Sequence, residues 1–287
     1  MTIIQQQLPV IWSYHAGAGA LIWQFMFTGN GELIGQKRYP LSREALFFSI
    51  ETESGKVFFD DYFLTDTRHP IAAGEGWFTG FETTSRNLLY CHLYQPQSPE
   101  HLGIWALDAR SGRVVWSRRD IIFAANLEHE FLVYRLSVFA GFPERHFILI
   151  DPESGEDIRH LGSESMSVSE IRAQLVPEEE RQQVVLPEFV SEGMALEHLA
   201  LQRVGVAGSE RCECIVQGTL TVAALHEAAD HPGLWNSRLK VWQNDRLVYA
   251  DWMESGVEKP GLNNFLIRGV HLYYIKNKAE LLCVALS

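Results

Sequence analysis

Cysteine is scarce, and its placement excludes more than it suggests. The 287 residues hold only Cys91, Cys212, Cys214 and Cys283. Four thiols are too few for a disulfide framework at this length. Cys212-Glu213-Cys214 would put two sulfurs on one face of a strand. No second cysteine pair and no nearby histidine completes a tetrahedral set there, so reduced, structural thiols are expected and no metal is assigned. Positive charge is also short. Lys and Arg number 24 against 36 Asp and Glu, a formal charge of −12. That balance repels phosphate backbones and anionic membranes, so neither nucleic acid nor membrane is an expected partner. Arg118-Arg119 reads as a solvated strand end. No stretch approaches the roughly 18 apolar residues of a membrane helix. Met1 to Pro9 has no basic cluster and no apolar core, so it does not read as a secretion signal. A cytoplasmic location is the expectation. Also missing are a glycine-rich phosphate loop, a G-x-S-x-G elbow and any C-x-x-C pair. No catalytic residue and no cofactor is assigned.

What is present is repetition. The chain is 46% hydrophobic, ample for a buried core. Three segments share one pattern: Phe48 to Gly55, Trp105 to Gly112, and Ile148 to Gly155. Each is an apolar run, an acidic residue, two variable residues and Ser-Gly, followed by a second strand-like run. The glycine permits the left-handed backbone that closes such a turn, and the acidic side chain can accept turn N–H groups. Gly112 and Gly155 lie 43 residues apart, since 155 − 112 = 43, close to the ~40–45 of one propeller blade. Leu88 to Tyr94 answers Phe131 to Ser137, and Pro99-Glu100-His101 answers Pro143-Glu144-Arg145. Each unit therefore reads as four strands, A to D from the inside outward.

That register predicts an all-β chain forming a single β-propeller domain over 1–287. Five blades are expected: 21–64, 76–118, 121–161, 194–252, and 263–286 completed by 10–14. Strands A and B of the fourth fall within 194–225, and Gln243-Asn244-Asp245 is its outer hairpin turn. Six blades would result if 162–235 hid a degenerate one. The chain ends at Ala285-Leu286-Ser287, where strand D of the last blade is missing. Val10-Ile11-Trp12-Ser13 matches the outer strand Val114-Val115-Trp116-Ser117. The N-terminal strand is therefore expected to complete the last blade and bury both loose edges.

The run Ile104 to Trp116 resembles the repeat of quinoprotein-like, WD40-like β-propellers, whose unit reads "alda-x-x-G-x-x-x-W". The resemblance implies the fold, bacterial relatives, and assembly or scaffold roles. It does not imply quinone chemistry, because the adjacent cysteines of many quinone-dependent relatives are missing.

Sites follow from the register. The D–A and B–C loops form one mouth of a propeller channel. They carry the candidate binding residues His15, Asp66, Arg68, His69, Glu75 and Asp120. A carboxylate pair there would suit a carbohydrate-active hydrolase or lyase. Trp12, Trp105, Trp116 and Trp242 are expected to pack between blades, leaving Trp77 and Trp235 as the freer aromatics. His226-Glu227-Ala228-Ala229-Asp230-His231 reads as a solvated loop, since its histidines are five apart rather than four. The segment 162–193 interrupts the repeat. Ser167 and Glu170 suggest a capping box before Ile171 and Leu175. As an insertion at the mouth it would cap the channel or dock a protein partner. The leading expectation is a non-catalytic binding or interaction module, with a hydrolase or a small-ligand sensor as the alternatives.

Overall fold

The three Ser-Gly turns are one structure used three times. Gly55, Gly112 and Gly155 all have φ near +70°: 73°, 69° and 72°. Each donates its N–H to the carbonyl of the acidic residue four positions back, Glu51, Asp108 or Asp151. Oδ1 of Asp108 accepts the N–H groups of Arg110 (3.2 Å) and Ser111 (2.8 Å), and Oδ1 of Asp151 does the same for Glu153 (2.9 Å) and Ser154 (2.7 Å). The turn thus satisfies its own polar backbone and sets the strand register on either side.

A computed structural model describes residues 8–64, 77–95, 98, 100–163, 166–190, 201–202, 205 and 211–286. Its strands, in chain order, are β1 (Val10–His15), β2 (Leu21–Phe27), β3 (Glu32–Tyr39), β4 (Glu44–Glu51), β5 (Val57–Tyr62), β6 (Thr79–Ser85), β7 (Leu88–Tyr94), β8 (His101–Asp108) and β9 (Val114–Arg118). The third repeat follows with β10 (Ile122–Asn126), β11 (Phe131–Phe139), β12 (Phe142–Ile150) and β13 (Asp157–Ser163). Helices α1 (Met166–Ala173) and α2 (Glu178–Arg181) precede β14 (Val184–Val185) and β15 (Glu188–Val190). The remainder is β16 (Arg211–Gln217), β17 (Leu220–Ala228), β18 (Trp235–Gln243), β19 (Arg246–Val257), β20 (Phe265–Arg268), β21 (His271–Lys276) and β22 (Glu280–Ala285).

The protein is all-β, built from five antiparallel sheets of four or five strands. Their orders are β2-β3-β4-β5, β6-β7-β8-β9, β10-β11-β12-β13, β15-β16-β17-β18-β19 and β14-β20-β21-β22-β1. Four contain the four-strand meander of a propeller blade, and the last has a three-strand meander, β20 to β22, extended by β1, consistent with a propeller. The terminal pairing is as expected: β1 is the outer strand of the last sheet, with Ser13 opposite Leu282 and His15 opposite Glu280.

The chain divides into two compact units, Trp23–Gln182 and Met1–Ile22 with Gln183–Ser287. In the first, β7 explains its nearly unbroken apolar sequence. Leu89 and Cys91 face a core shared with Ile34 and Phe47 of the first sheet. Leu88 and Tyr90 face the opposite core, with Phe131, Val133 and Ile148 of the third. A strand buried on both faces cannot alternate with polar residues. The Ser-Gly turns also lock neighbouring sheets together. A Cβ on Gly155 would come within 2.7 Å of the Trp116 ring, and both Tyr90 Oη and Trp116 Nε1 donate to the Pro152 carbonyl. In the second unit, Val222, Leu239, Val241 and Tyr249 pack against Phe265, Ile267, Leu272 and Tyr274.

The interruption of the repeat is built into the sheets over its described part. Val168 and Ile171 of α1 cover the face of the third sheet made by Leu132, Tyr134, Phe147 and Leu149. Ser167 lies inside this helix rather than ahead of it, so it is not the cap expected of it. Around α2, Gln182 Oε1 accepts the Phe27 N–H (3.0 Å), Glu178 accepts from Thr83 Oγ1 (2.8 Å), and Arg181 donates to the Asn126 carbonyl (2.5 Å). α2 therefore bonds to the first strand of three successive sheets. In the other unit, β14 and β15 each add one edge strand, to the last and the fourth sheet respectively. The inner strands of the fourth sheet thus include β15, ahead of the expected 194–225, and β17 runs beyond it to Ala228. That strand also corrects the loop expected at His226, which is buried and bonded to Ser237 Oγ through Nδ1 at 2.9 Å.

Candidate functional site

The second sheet holds a polar cluster that its apolar surroundings make costly. His92 is a strand-B residue near the end of β7, and both neighbouring strands bulge beside it. In β6, Glu82 is the extra residue between the pairs Phe81–Cys91 and Thr83–Tyr90. In β8, Gly103 and Ile104 together oppose His92, with Gly103 at φ +70°. Bulges re-aim side chains, and here they swing Glu82 and the start of β8 toward His92. Gly80, paired with His92, completes the space: a Cβ there would lie 2.6 Å from His92 Nε2 and 2.8 Å from the Tyr94 ring.

The result is a tight trio. His101 Nδ1 donates to Glu82 Oε1 at 2.6 Å. His92 Nδ1 lies 2.8 Å from the same oxygen, an electrostatic contact with the carboxylate. The two imidazoles stack at 3.5 Å between centroids and 9° between planes, and Tyr94 meets both edge-on. His92 is 1% exposed and neither of its ring nitrogens has a hydrogen-bond partner. Nε2 is thus an orphaned buried polar atom, which costs about 1–3 kcal/mol, whereas Nδ1 keeps its electrostatic contact with Glu82. Burial alone would raise the Glu82 pKa, but the two imidazoles outweigh it and hold the carboxyl below its ordinary value. The same carboxylate lifts the His101 pKa, against a smaller effect of burial. Glu100, next in sequence, is held low by the hydrogen bond from Tyr134 and by Arg145, 2.5 Å away. Among the described residues, Glu82, His92 and His101 are the one set of three metal-capable side chains with converging donor atoms.

Arg38, near the end of β3, forms a second feature beside the start of β6. It is 8% exposed. Nε donates to Gln36 Oε1 and Nη2 to the Thr79 carbonyl, both at 3.1 Å. Both acceptors are neutral, and no carboxylate pairs with Arg38 among the described residues. Its guanidinium lies over Trp23 (4.3 Å) and Trp77 (5.1 Å). Burial pulls its pKa below the usual guanidinium value. Among the described residues this desolvated cation has aromatic but no ionic partners, an unfinished ion pair. By contrast, the adjacent Lys37 is finished, 2.7 Å from both Asp60 and Asp61.

The residues expected at the mouth fare differently. Asp66, Arg68, His69 and Glu75 lie outside the described residues. His15 is exposed at the end of β1, where its Nδ1 accepts the Gly17 N–H at 3.0 Å. Asp120 sits between β9 and β10 and is clamped by Arg118 Nη2 (2.9 Å) and Arg135 Nε (2.8 Å). These two belong to different units. Trp77 lies against Arg38, and Trp235 takes the Arg211 guanidinium at 5.4 Å. Sequence reasoning passed over Arg38, Glu82, His92 and His101. The available signal was the polar residue inside an otherwise apolar strand-B run, Leu88 to Tyr94.

Residues 30–116 match a sequence family described as a domain of unknown function (DUF4905). The matched stretch contains Arg38, Glu82, His92 and His101. No curated protein matches the chain. Among solved structures, acylaminoacyl peptidase from Pyrococcus horikoshii aligns at 11% identity and TM-score 0.29, over 90% of this chain and 36% of the peptidase. The Swd1 β-propeller domain of Myceliophteria thermophila aligns at 9% identity and TM-score 0.32, over 98% of this chain and 100% of that domain. TolB from Acinetobacter baumannii aligns at 8% identity and TM-score 0.26, over 89% and 64% of the two chains. The chain spans about a third of the length of the peptidase. Likeness this slight transfers no activity.

Proposed function

We propose that the protein is a five-bladed β-propeller that acts as a binding module and takes an anionic group at Arg38. The observation that carries this reading is the buried guanidinium against Trp23 and Trp77 with only neutral acceptors among the described residues. A carboxylate entering beside Arg38 would supply the missing counter-charge with bidentate geometry. Trp23, 56% exposed, and Tyr94, 42% exposed, offer apolar surface for the rest of the ligand. The chemistry fits a carboxylated saccharide or a similar small acid. The described carboxylates near this end of the second sheet are already engaged: Glu82 by His101, Glu100 by Tyr134 and Arg145, and Asp120 by two arginines. That supports binding over acid–base hydrolysis.

The test uses tryptophan emission of the full chain, titrated with glucuronate and, as the neutral control, glucose. Glucuronate is expected to change the emission saturably, glucose is not, and Arg38→Gln is expected to weaken binding on the order of tenfold or more. Equal responses to both sugars, or an unchanged affinity in a folded Arg38→Gln variant, would overturn the reading.

A further inference from the structure

We propose that Glu82, His92 and His101 form a site for a divalent transition-metal ion of the zinc class. Three observations converge on it. The donor atoms cluster, with both Nδ1 atoms within 2.8 Å of Glu82 Oε1. The set of two imidazoles and one carboxylate suits a borderline ion such as Zn²⁺, for which Asp or Glu oxygen and His nitrogen are ordinary ligands. And the buried His92 has no hydrogen-bond partner on either nitrogen, so the arrangement as a purely hydrogen-bonded cluster is incomplete. A metal bond to Nδ1 would satisfy that nitrogen.

The seating geometry can be worked out. Zn–N and Zn–O bonds of about 2.0–2.2 Å place tetrahedral donors roughly 3.3 Å apart. The donors here stand 2.6 and 2.8 Å from the shared oxygen, so the cluster opens by roughly half an ångström and the stacked rings tilt apart as the ion enters. His92 is fixed between Gly80 and Tyr94. His101 has the freedom to move: it is the more exposed imidazole, with 32% of its side chain accessible. It must also give up the Nδ1 proton it donates to Glu82, which leaves to solvent as the metal–nitrogen bond forms.

A second buried Glu–His pair in the fold marks what this site has in addition. Glu213 and His226 approach to 3.4 Å in the fourth sheet, again on strands A and B. There the third member is Ser237, which hydrogen-bonds His226 Nδ1 directly. With a hydroxyl in place of a second imidazole, that pair lacks the third strong ligand. His101 on strand C is therefore the residue that distinguishes the two clusters.

The test loads the purified full chain with Zn²⁺ or Co²⁺, removes free ion, and measures bound metal by elemental analysis and the Co²⁺ visible spectrum. One equivalent is expected, with d–d bands in the visible and no strong thiolate charge-transfer band. His101→Asn, at a partly exposed position, should keep the fold and weaken binding on the order of tenfold or more, whereas His15→Asn should bind like the native chain. Glu82→Gln provides a second variant if circular dichroism shows it folded. Three results would overturn the proposal: no stoichiometric ion on the folded native chain, undiminished binding in His101→Asn, or a Co²⁺ spectrum dominated by thiolate. None of these readouts depends on ligand binding at Arg38, so the two readings fail separately.

Discussion

A single side chain in this protein is defined less by its type than by whether its charge is completed. Lys37 and Arg38 are adjacent on β3 and both buried, yet one has two aspartates and the other has two indoles. For Lys37, burial alone would lower the pKa, but hydrogen bonds to Asp60 and Asp61 outweigh it and the net shift is upward. Asp120 gives the clearest pH consequence. The Arg118 hydrogen bond, helped by Arg135, lowers its pKa to about 2 against the opposing effect of burial. A carboxyl whose folded pKa lies below its unfolded value of about 3.9 stabilises the fold above that value and loses the contribution as pH falls toward 2. The side chain is half-exposed, so the effect is modest and screened by salt. Asp120→Asn should therefore flatten the decline of melting temperature between about pH 4 and pH 2, with the difference from native shrinking in about 1 M salt. An unchanged acid limb would show that the pair contributes nothing. Asp120 was singled out from the sequence, but its arginine partners were not, because Arg135 reaches it from β11.

At the scale of elements, the hairpin repeat was readable to within a residue or two. The unit expected over 21–64 holds the strands 21–27, 32–39, 44–51 and 57–62. The reason is local: Ser-Gly turns with an acidic anchor carry their own hydrogen bonds, so the register on either side follows without distant help. Strand B was matched one position off between the second and third repeats. Leu89 pairs with Leu107 as Phe131 pairs with Ile150, rather than Leu88 answering Phe131. The bulge at Glu82 and the one at Gly103 were also hidden, and they are what bring the histidine cluster together. The element most exposed to test is β1. It covers the edge of β22 from Val10 to His15. Removing residues 1–15 leaves that edge unpaired, a template for intermolecular pairing. The truncated chain is expected to aggregate or lose its β-sheet signal, read by size-exclusion chromatography and circular dichroism. A monomer of native stability would mean that β1 is dispensable.

At the scale of the molecule, the strong negative charge and the five sheets set the terms. No helix among the described residues is long and apolar enough to cross a membrane. One of the two compact units is assembled from both ends of the chain, 1–22 and 183–287. If the sheets are blades of one propeller, the whole chain should unfold together. A single calorimetric transition, with matching calorimetric and van't Hoff enthalpies, is the expected outcome. Two resolved transitions would mean that the units are independent domains and that the single-propeller reading is wrong.

Composition and periodicity by themselves determined the all-β class, the four-strand unit, the Ser-Gly turns and the recruitment of Val10 to His15 to the last sheet. These are properties of short-range backbone geometry and of apolar patterning, which a linear chain displays directly. Tertiary structure decided the rest. It placed α1 over the third sheet, tied α2 to the first strands of three sheets, and set Arg38 against Trp23 and Trp77. It also clustered the donor atoms of Glu82, His92 and His101. Whether a buried charge finds a partner depends on bulges and side-chain directions on separate strands, and no sequence spacing records those.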